Sequence, residues 1–347
     1  MTFIVEGEFE VDLTIADEDF DKQFWFIDFR FAFSPAPSEV TERLMLYLEA
    51  HVNTALATDG LQGCYRFLHE LVLTHKIHEI KRQALALNRG TWTASLMVEP
   101  LNRALAIQYW TGRYHPPAPK SWIMIGVHSG RAANGTVASD STSHLMLKWY
   151  RDGKEVQDVE LPFDTTNLSA ETLLKTAIAR HVEHILSTIN GKLVTQPRFV
   201  KRESSVALRI SRTEPIESVL TMQLGCYEDV TLMIEPVTGF FSIRPHARFA
   251  QHGETRLNFG GKDPADEGVA CLESIRRAYL VEEVNRRGRC LGWTTLSNPL
   301  PAEDIKEMVG SREPLSSVFF HRRGWKPDWF LMMTLSLGGD EWWLFET

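Results

Sequence analysis

Apolar and polar residues alternate at the start of the chain in a pattern that predicts β-strands. The alternation has period two from Phe3 to Ile15 and again from Gln23 to Phe33, and the acidic segment between the runs is typical of a turn. One face of the second run carries only large apolar side chains, which we expect to be buried: Trp25, Ile27, Phe29, Phe31 and Phe33.

Helical periodicity follows the two strands. Ser38 is a suitable N-cap for a helix that runs to about Thr58, and Asp59-Gly60 is expected to end it. A second helix is predicted from Leu61 to about Asn88, with an apolar belt wide enough to contact structure on more than one side. The belt has two stripes, one of Leu61, Cys64, Leu68, Leu71, Val72 and His75 and one of Leu73, Ile77, Ile80, Ala84 and Leu87.

Two later segments are nearly the same. "ASLMVEPLNRALAIQYW" begins at Ala94 and "VTLMIEPVTGFFSIRP" at Val230, and alignment of Ser95 with Thr231 superposes both Glu-Pro pairs and brings Ile107 onto Ile243. Two apolar runs separated by Glu-Pro predict a β-hairpin, because proline has no N–H to donate to a continuing ladder. The two copies predict a duplicated unit.

The remaining pattern completes an α+β protein. A third long helix is predicted from Asn167 or Ser169 to near Gly191, a loop over 251–268, a fourth helix from about Ala265 to Arg287, and strands after it. Further strands are predicted at 121–128, 144–151, 155–162, 206–210 and 219–224. We predict two tandem related modules, residues 1–163 and 164–347, each an antiparallel sheet of hairpins packed with long α-helices.

Composition narrows the class of protein. The chain has 347 residues, of which 44% are hydrophobic and 24% charged, as in a globular protein of two or three domains. Its net charge of −8 argues against a protein whose main task is to bind a phosphate backbone. The four cysteines have no CxxC spacing and are expected to be buried reduced thiols. No apolar run is long enough to span a bilayer, so we expect a soluble intracellular protein without a membrane partner.

No catalytic or metal-binding motif is complete. His69, Glu70 and His75 miss the HExxH spacing, so we expect His75, like His181, to be a packed or capping histidine. "GVHSG" at 126–130 has its serine one place late for a nucleophile elbow, and "FGGKD" at 259–263 is a polar turn rather than a P-loop. The pattern predicts no enzyme, no cofactor, no metal and no small-molecule substrate; an enzyme that gathers Asp28, His128 and Ser129 is the weakest alternative.

Charged residues offer two more features. Asp28 and Arg30 share one face of a strand and predict a surface ion pair. The fourth helix carries a stripe of arginines that is partly compensated by glutamates three or four residues earlier, Glu273, Glu282 and Glu283. With His321, the arginines are candidates for binding an acidic protein or nucleic acid: Arg276, Arg277, Arg286, Arg287, Arg289, Arg322 and Arg323.

Several long strings resemble the fungal Mediator subunit 14 family. They are "QFWFIDFRFAFSP", "LQGCYRFLHELVLTHKIHEIKRQA", "VEPLNRALAIQYW", "PKSWIMIGVHSG" and "RDGKEVQDVELP", which together cover most of residues 20 to 200. Members of this family are much longer, so the resemblance implies a central portion that contains repeated modules. The resemblance implies no catalytic residues for this sequence, because the family has none to assign.

The resemblance also implies a function. It points to an architectural scaffold subunit of the nuclear Mediator coactivator, which joins head, middle and tail modules in RNA polymerase II transcription regulation. Implied partners are head subunit 17 and other Mediator subunits, and indirectly the polymerase and activators. Candidate contact residues are Leu73, Ile77, Ile80 and Leu87 first, and Arg286, Arg287, Arg289, Arg322 and Arg323 second; a nucleic-acid or activator-binding module that uses the arginines is the alternative.

Overall fold

The computed structural model divides the chain into two compact units, unit 1 over Met1–Ala177 and unit 2 over Ile178–Thr347. All sheets are antiparallel, and the predicted α+β class is confirmed. The module boundary at 163/164 stays a prediction. The structure describes residues 1–15, 23–37, 40–113, 119–129, 142–225, 228–245, 248–259, 263–297, 300–309, 316–336 and 339–346.

Unit 1 contains two sheets and a long helix. The first sheet has three strands and the second has five, each in chain order. The elements of unit 1 are β1 (Thr2–Val5), β2 (Phe9–Ile15), β3 (Phe24–Phe31), α1 (Glu42–Arg89), β4 (Leu96–Leu101), β5 (Ala104–Tyr109), β6 (Ser121–His128), β7 (His144–Arg151), β8 (Lys154–Glu155) and the start of α2 (Ala170–Val194), which belongs to unit 2 from Ile178 onward.

Unit 2 has two four-stranded sheets, ordered β12-β11-β10-β9 and β13-β14-β15-β16. Its elements are α3 (Pro197–Val200), β9 (Val206–Arg209), a 3-10 turn (Pro215–Glu217), β10 (Val219–Gln223), β11 (Asp229–Ile234), β12 (Phe241–Arg244), α4 (Arg248–Phe259), α5 (Pro264–Cys290), β13 (Trp293–Leu296), α6 (Ala302–Val309), β14 (Ser316–Arg322), β15 (Trp329–Ser336) and β16 (Gly339–Glu346).

Helix α1 contacts both sheets of unit 1, through β2 and β3 of the first and β4, β5 and β6 of the second. The prediction that its belt packs on more than one side is therefore confirmed. Thr41 caps the helix by accepting a hydrogen bond from the Leu44 N–H at 3.3 Å, and the predicted cap, Ser38, lies outside the described residues. The expected break occurs at Gly60, whose φ of 61° and ψ of −149° interrupt the helix without ending it.

In unit 2 the equivalent position between the sheets is shared by two helices. Helix α4 packs on β12 of the first sheet, α5 packs on β13 and β14 of the second, and α4 and α5 contact each other. The loop predicted over 251–268 is wrong, because most of it forms α4 and the start of α5. Polar residues and Gly253 weakened the helical pattern, yet a Cβ at Gly253 would collide with the buried Cys271 of α5, so close packing explains the glycine.

The repeated hairpins are confirmed as β4–β5 and β11–β12, but they turn differently. In the first, Pro100 lies inside edge strand β4 opposite Leu105, since an edge strand tolerates a missing N–H. In the second, the strand ends at Ile234, and the Glu235 carboxylate accepts hydrogen bonds from the backbone and hydroxyl of Thr238 at 2.5 and 2.6 Å. Val98 pairs with Ile107, whereas Leu232 pairs with Ile243.

Three strand predictions need correction. The first run is a hairpin of two strands, β1 and β2, rather than one. The apolar face predicted for β3 is split by a β-bulge, where Asp12 pairs with Asp28 but Leu13 pairs with Phe26, so Phe29 is buried while Trp25 and Ile27 are exposed. The strand predicted over 155–162 is wrong except for Glu155, which is the second residue of the short strand β8.

Two smaller predictions also change. Helix α2 begins after Ser169, whose hydroxyl accepts from the Thr172 N–H at 3.1 Å, and it continues past Gly191 to Val194. Cys64 and Cys271 are buried as expected, but Cys290 is exposed at the end of α5, and Cys226 lies outside the described residues.

A buried ion pair anchors α5 inside unit 2. An Arg198 Nη2 atom lies 2.8 Å from Glu273 Oε2, and both side chains are almost fully buried. Burial raises the pKa of Glu273 and lowers that of Arg198, since each charge is desolvated. Either charge alone would destabilise the folded unit at this buried position, so the main effect of the pair is that each charge compensates the other.

Removal of one partner of this pair is expected to be costly. Glu273→Ala should lower the free energy of unfolding by about 3–5 kcal/mol, because it leaves the Arg198 charge buried and unpaired. The apolar double variant Arg198→Met/Glu273→Leu should recover most of that loss. Urea denaturation measures both; a double variant no more stable than the single one would contradict this account, and Glu282→Ala at an exposed position of α5 is the control.

The apolar belt of α1 gives a second prediction. Ile80 has no exposed surface, so Ile80→Ala should lower the free energy of unfolding by about 2–5 kcal/mol through lost burial and a cavity. Leu46→Ala, at an exposed position of the same helix, should change it by less than about 0.5 kcal/mol. Equal effects of the two variants on the urea midpoint would disprove the role assigned to the belt.

Candidate interaction surfaces

The first group of predicted contact residues lies mostly inside unit 1. Leu73, Ile77 and Ile80 are buried, and Leu87 is half-buried near the end of α1. Their apolar surface is covered by sheets of the same chain. A partner would reach only Leu87 of this group, so burial argues against the belt as a docking surface.

Polar side chains of α1 also bind elements of unit 1. The buried Lys76 ammonium donates a hydrogen bond to the Gly7 carbonyl at 2.8 Å, in the turn between β1 and β2. Burial lowers the pKa of Lys76. The ring of His69 joins two segments, with Nδ1 at 2.7 Å from Glu8 Oε2 and Nε2 at 2.6 Å from the Ser143 carbonyl oxygen. These bonds hold the β1–β2 turn and the start of β7 against the helix.

The second predicted group lies on the surface of unit 2. Arg286 and Arg287 both bind the Glu283 carboxylate, at 2.7 and 2.6 Å, and hold the pKa of that group down to about 2. The expected compensation by a glutamate three or four residues earlier is confirmed here. Arg289, Arg322 and Arg323 are exposed, and Gly288 between the helix arginines packs closely on Phe320 of β14.

Nearer the helix start, Arg276 still attracts the Glu273 carboxylate three residues earlier, but each of the two makes its close ion pair with a residue outside α5. Glu273 pairs with Arg198, and Arg276 binds Asp340 of β16 at 3.2 Å. This face of α5 is turned into unit 2, so tertiary partners replace the pairs expected from spacing. The exposed basic surface is therefore smaller than the stripe in the sequence.

The candidate catalytic residues occupy unrelated surroundings. Asp28 lies on the outer face of the first sheet with Arg30, 3.3 Å away, which confirms the predicted surface ion pair. The exposed His128 ring lies 5.1 Å from the His144 ring at the end of the β6–β7 pair. Within the described ranges, no group of three His, Cys, Asp or Glu side chains is placed to hold a metal ion, and no helix is long and apolar enough to cross a membrane.

The other motif residues have structural roles. His75 is half-buried with its ring 4.9 Å from Phe31, and His181 is buried, so both are packed histidines as predicted. Asp263 of "FGGKD" caps α5 by accepting from the Asp266 N–H at 3.2 Å, while residues 260–262 lie outside the described part.

Sequence reasoning missed a groove in unit 1. It has a volume of about 870 Å³ and lies between β7 and the segment from Glu155 to Thr165. The segment was predicted as a strand, which would have filled this space. The sequence signal against a strand is the interrupted alternation after Val156, where Gln157 and Asp158 are two polar residues in succession.

His69 makes the stability of unit 1 depend on pH. The hydrogen bond to Glu8 raises the pKa of His69, so the folded protein favours the protonated ring. The resulting stabilisation is complete below about pH 6.5, the pKa of an unfolded histidine, and is lost as pH rises through the higher folded value. We expect the difference in unfolding free energy between the protein and His69→Gln to be larger at acidic than at alkaline pH.

Urea titrations over that pH range test this expectation. His78→Gln alters an exposed histidine of the same helix and serves as the control. A difference for His69→Gln that stays constant with pH would contradict the assignment.

Comparison with known proteins identifies the family. Residues 189–284 match the model of the fungal Med14 domain. The whole chain is 47% identical to part of "Mediator of RNA polymerase II transcription subunit 14" from Pyricularia oryzae, 44% to that from Neurospora crassa and 35% to that from Emericella nidulans. The alignments cover all of this chain but only 31%, 28% and 31% of those relatives. The chain belongs to the fungal Mediator subunit 14 family, and it spans less than a third of the length of these curated members.

Proposed function

We propose that the chain is an architectural segment of Mediator, which binds other subunits and helps to connect the head, middle and tail modules in RNA polymerase II transcription regulation in the nucleus. The observation that carries the proposal is similarity along the entire chain to proteins named as subunit 14 of that complex. Subunit 17 of the head module is the first partner on this proposal, and contact with the polymerase and with activators is indirect.

The exposed surface supports a binding role better than a catalytic one. Trp25 and Ile27 of β3 are 46% and 55% exposed, and Trp342 and Leu344 of β16 are 51% and 53% exposed. Exposed large apolar side chains on sheet faces are typical of surfaces that a partner covers. Each unit therefore has apolar surface available to a neighbour.

The exposed arginines of unit 2 remain the second candidate contact. Arg289, Arg322 and Arg323 have solvent-exposed side chains, while Arg286 and Arg287 share Glu283. The chain's net charge of −8 and this pairing favour an acidic protein surface over nucleic acid as their partner.

Co-expression tests the proposal. We expect the chain to co-elute in size-exclusion chromatography at moderate salt with at least one of subunit 17 and the middle- and tail-module subunits. Full-length subunit 14 of Pyricularia oryzae is the positive control. Co-elution of every tested subunit with the control and of none with this chain would refute the proposal.

Charge reversal tests the arginine contact separately. Arg322→Glu/Arg323→Glu should weaken co-elution of a partner bound there, and added salt should have the same effect because exposed charges are screened. Lys154→Glu, at an exposed position of β8, is the matched control. If both variants retain the partner equally, the arginines are not the contact.

A further inference from the structure

The outer edge of β7 faces the groove in unit 1. His144 to Trp149 line one wall, and residues 155–163 line most of the other. A volume of about 870 Å³ falls in the range of pockets that hold ligands, about 300–1,000 Å³. The groove follows one strand for six consecutive residues, so its shape suits an extended chain rather than a compact molecule.

The backbone of β7 is only partly paired on this side. Strand β8 pairs with Tyr150 and Arg151, and the Val156 N–H donates to the Trp149 carbonyl at 2.9 Å. Residues of an antiparallel strand direct their N–H and C=O groups alternately to the two sides. Leu147 and Leu145 therefore direct theirs towards the groove, where no backbone partner is found for them among the described residues.

Apolar side chains contribute part of the lining of this groove. Leu145 and Leu147 lie on the same face of the sheet as the buried Trp149 but are only half-buried. Val159 and Phe163 are half-buried on the opposite wall. An added strand with apolar side chains on one face would bury the solvent-accessible parts of these four side chains.

The charge of the groove indicates the chemistry of its occupant. Two carboxylates line the groove, Glu155 and Glu160, while Asp158 and Asp164 of the same segment lie outside the lining. Lys148, on the β7 wall, is already bound to Glu155 at 2.9 Å. No ion pair of Glu160 is found among the described residues, so the groove has carboxylate charge left for a cation.

We propose that this groove binds an extended segment of another protein, which adds to β7 as a further strand. The segment has apolar side chains alternating with lysine or arginine, and a basic side chain faces Glu160. Main-chain hydrogen bonds to Leu145 and Leu147 supply affinity, and side-chain contacts supply selectivity, as in other cases of strand addition. The inference goes beyond the scaffold role and stands whether or not the chain works in Mediator.

Synthetic peptides test the charge selectivity. A fluorescein-labelled peptide of alternating valine and lysine should bind the whole chain saturably in fluorescence anisotropy, and a valine–glutamate peptide should bind at least about tenfold more weakly. Glu160→Lys should reverse the preference. Asp158→Lys, on the same segment but outside the groove lining, should leave the preference for the lysine peptide in place. Equal binding of both peptides overturns the proposal.

Backbone chemistry tests the mode of binding. Two peptides are compared, one N-methylated at its odd-numbered residues and the other at its even-numbered residues. One of them should lose binding and the other should keep it, since a strand makes hydrogen bonds to its neighbour through every second residue. On binding, hydrogen exchange should slow at the Leu145 and Leu147 amides and stay unchanged at Met146 and Lys148.

Three outcomes would refute strand addition by a basic partner. They are equal binding of both N-methylated peptides, Leu145 and Leu147 amides that are already protected in the protein alone, and a dimer of the chain that Glu160→Lys dissociates. The second would mean that the chain itself covers the edge. The third would mean that the occupant is a second copy.

Discussion

Unit 1 depends on the burial of the apolar belt of α1 between its two sheets. Each sheet offers one apolar face, and the helix contacts β2 and β3 on one side and β4, β5 and β6 on another. Because both faces need the same helix, a single large-to-small substitution in the belt weakens both layers. Lys76 and His69 add polar bonds at the helix surface that fix the β1–β2 turn and the start of β7.

Unit 2 meets the same requirement with different means. Its two sheets are covered by α4 and α5, which pack on each other across Gly253 and Cys271. The Arg198–Glu273 pair lies within this unit, where an apolar pair would be better tolerated than a single charge. Each unit by itself contains two sheets with helices packed on them, and the repeated hairpin occurs in the second sheet of unit 1 and the first sheet of unit 2.

Sequence periodicity was sufficient for the hairpins, the long helices and the class of the fold, since these depend on patterns of neighbouring residues. It failed where tertiary contacts decide. A wide apolar belt has the same pattern whether its own sheets or another protein cover it, so Leu73, Ile77 and Ile80 were predicted as a docking surface although they are buried. The β-bulge at Ile27 reverses which side chains of β3 face the core. The glycine within α4 is explained only by its close contact with Cys271, which lies on another helix. Spacing predicted the pairs of Glu283 but not the distant partner of Glu273.

The different registers of the two hairpins have a consequence for how such a duplication diverges. Relative to the alignment, the second hairpin has slipped by two residues, since Ile107 pairs with Val98 but Ile243 pairs with Leu232. A slip of two keeps every side chain on its original face, and Ile107 and Ile243 are both fully buried. A slip of one would have exchanged the inner and outer faces. The pairing register of these hairpins can therefore change only by an even number of residues, because an odd shift would expose the buried side chains. This explains why the two copies remain similar in sequence although their turns differ.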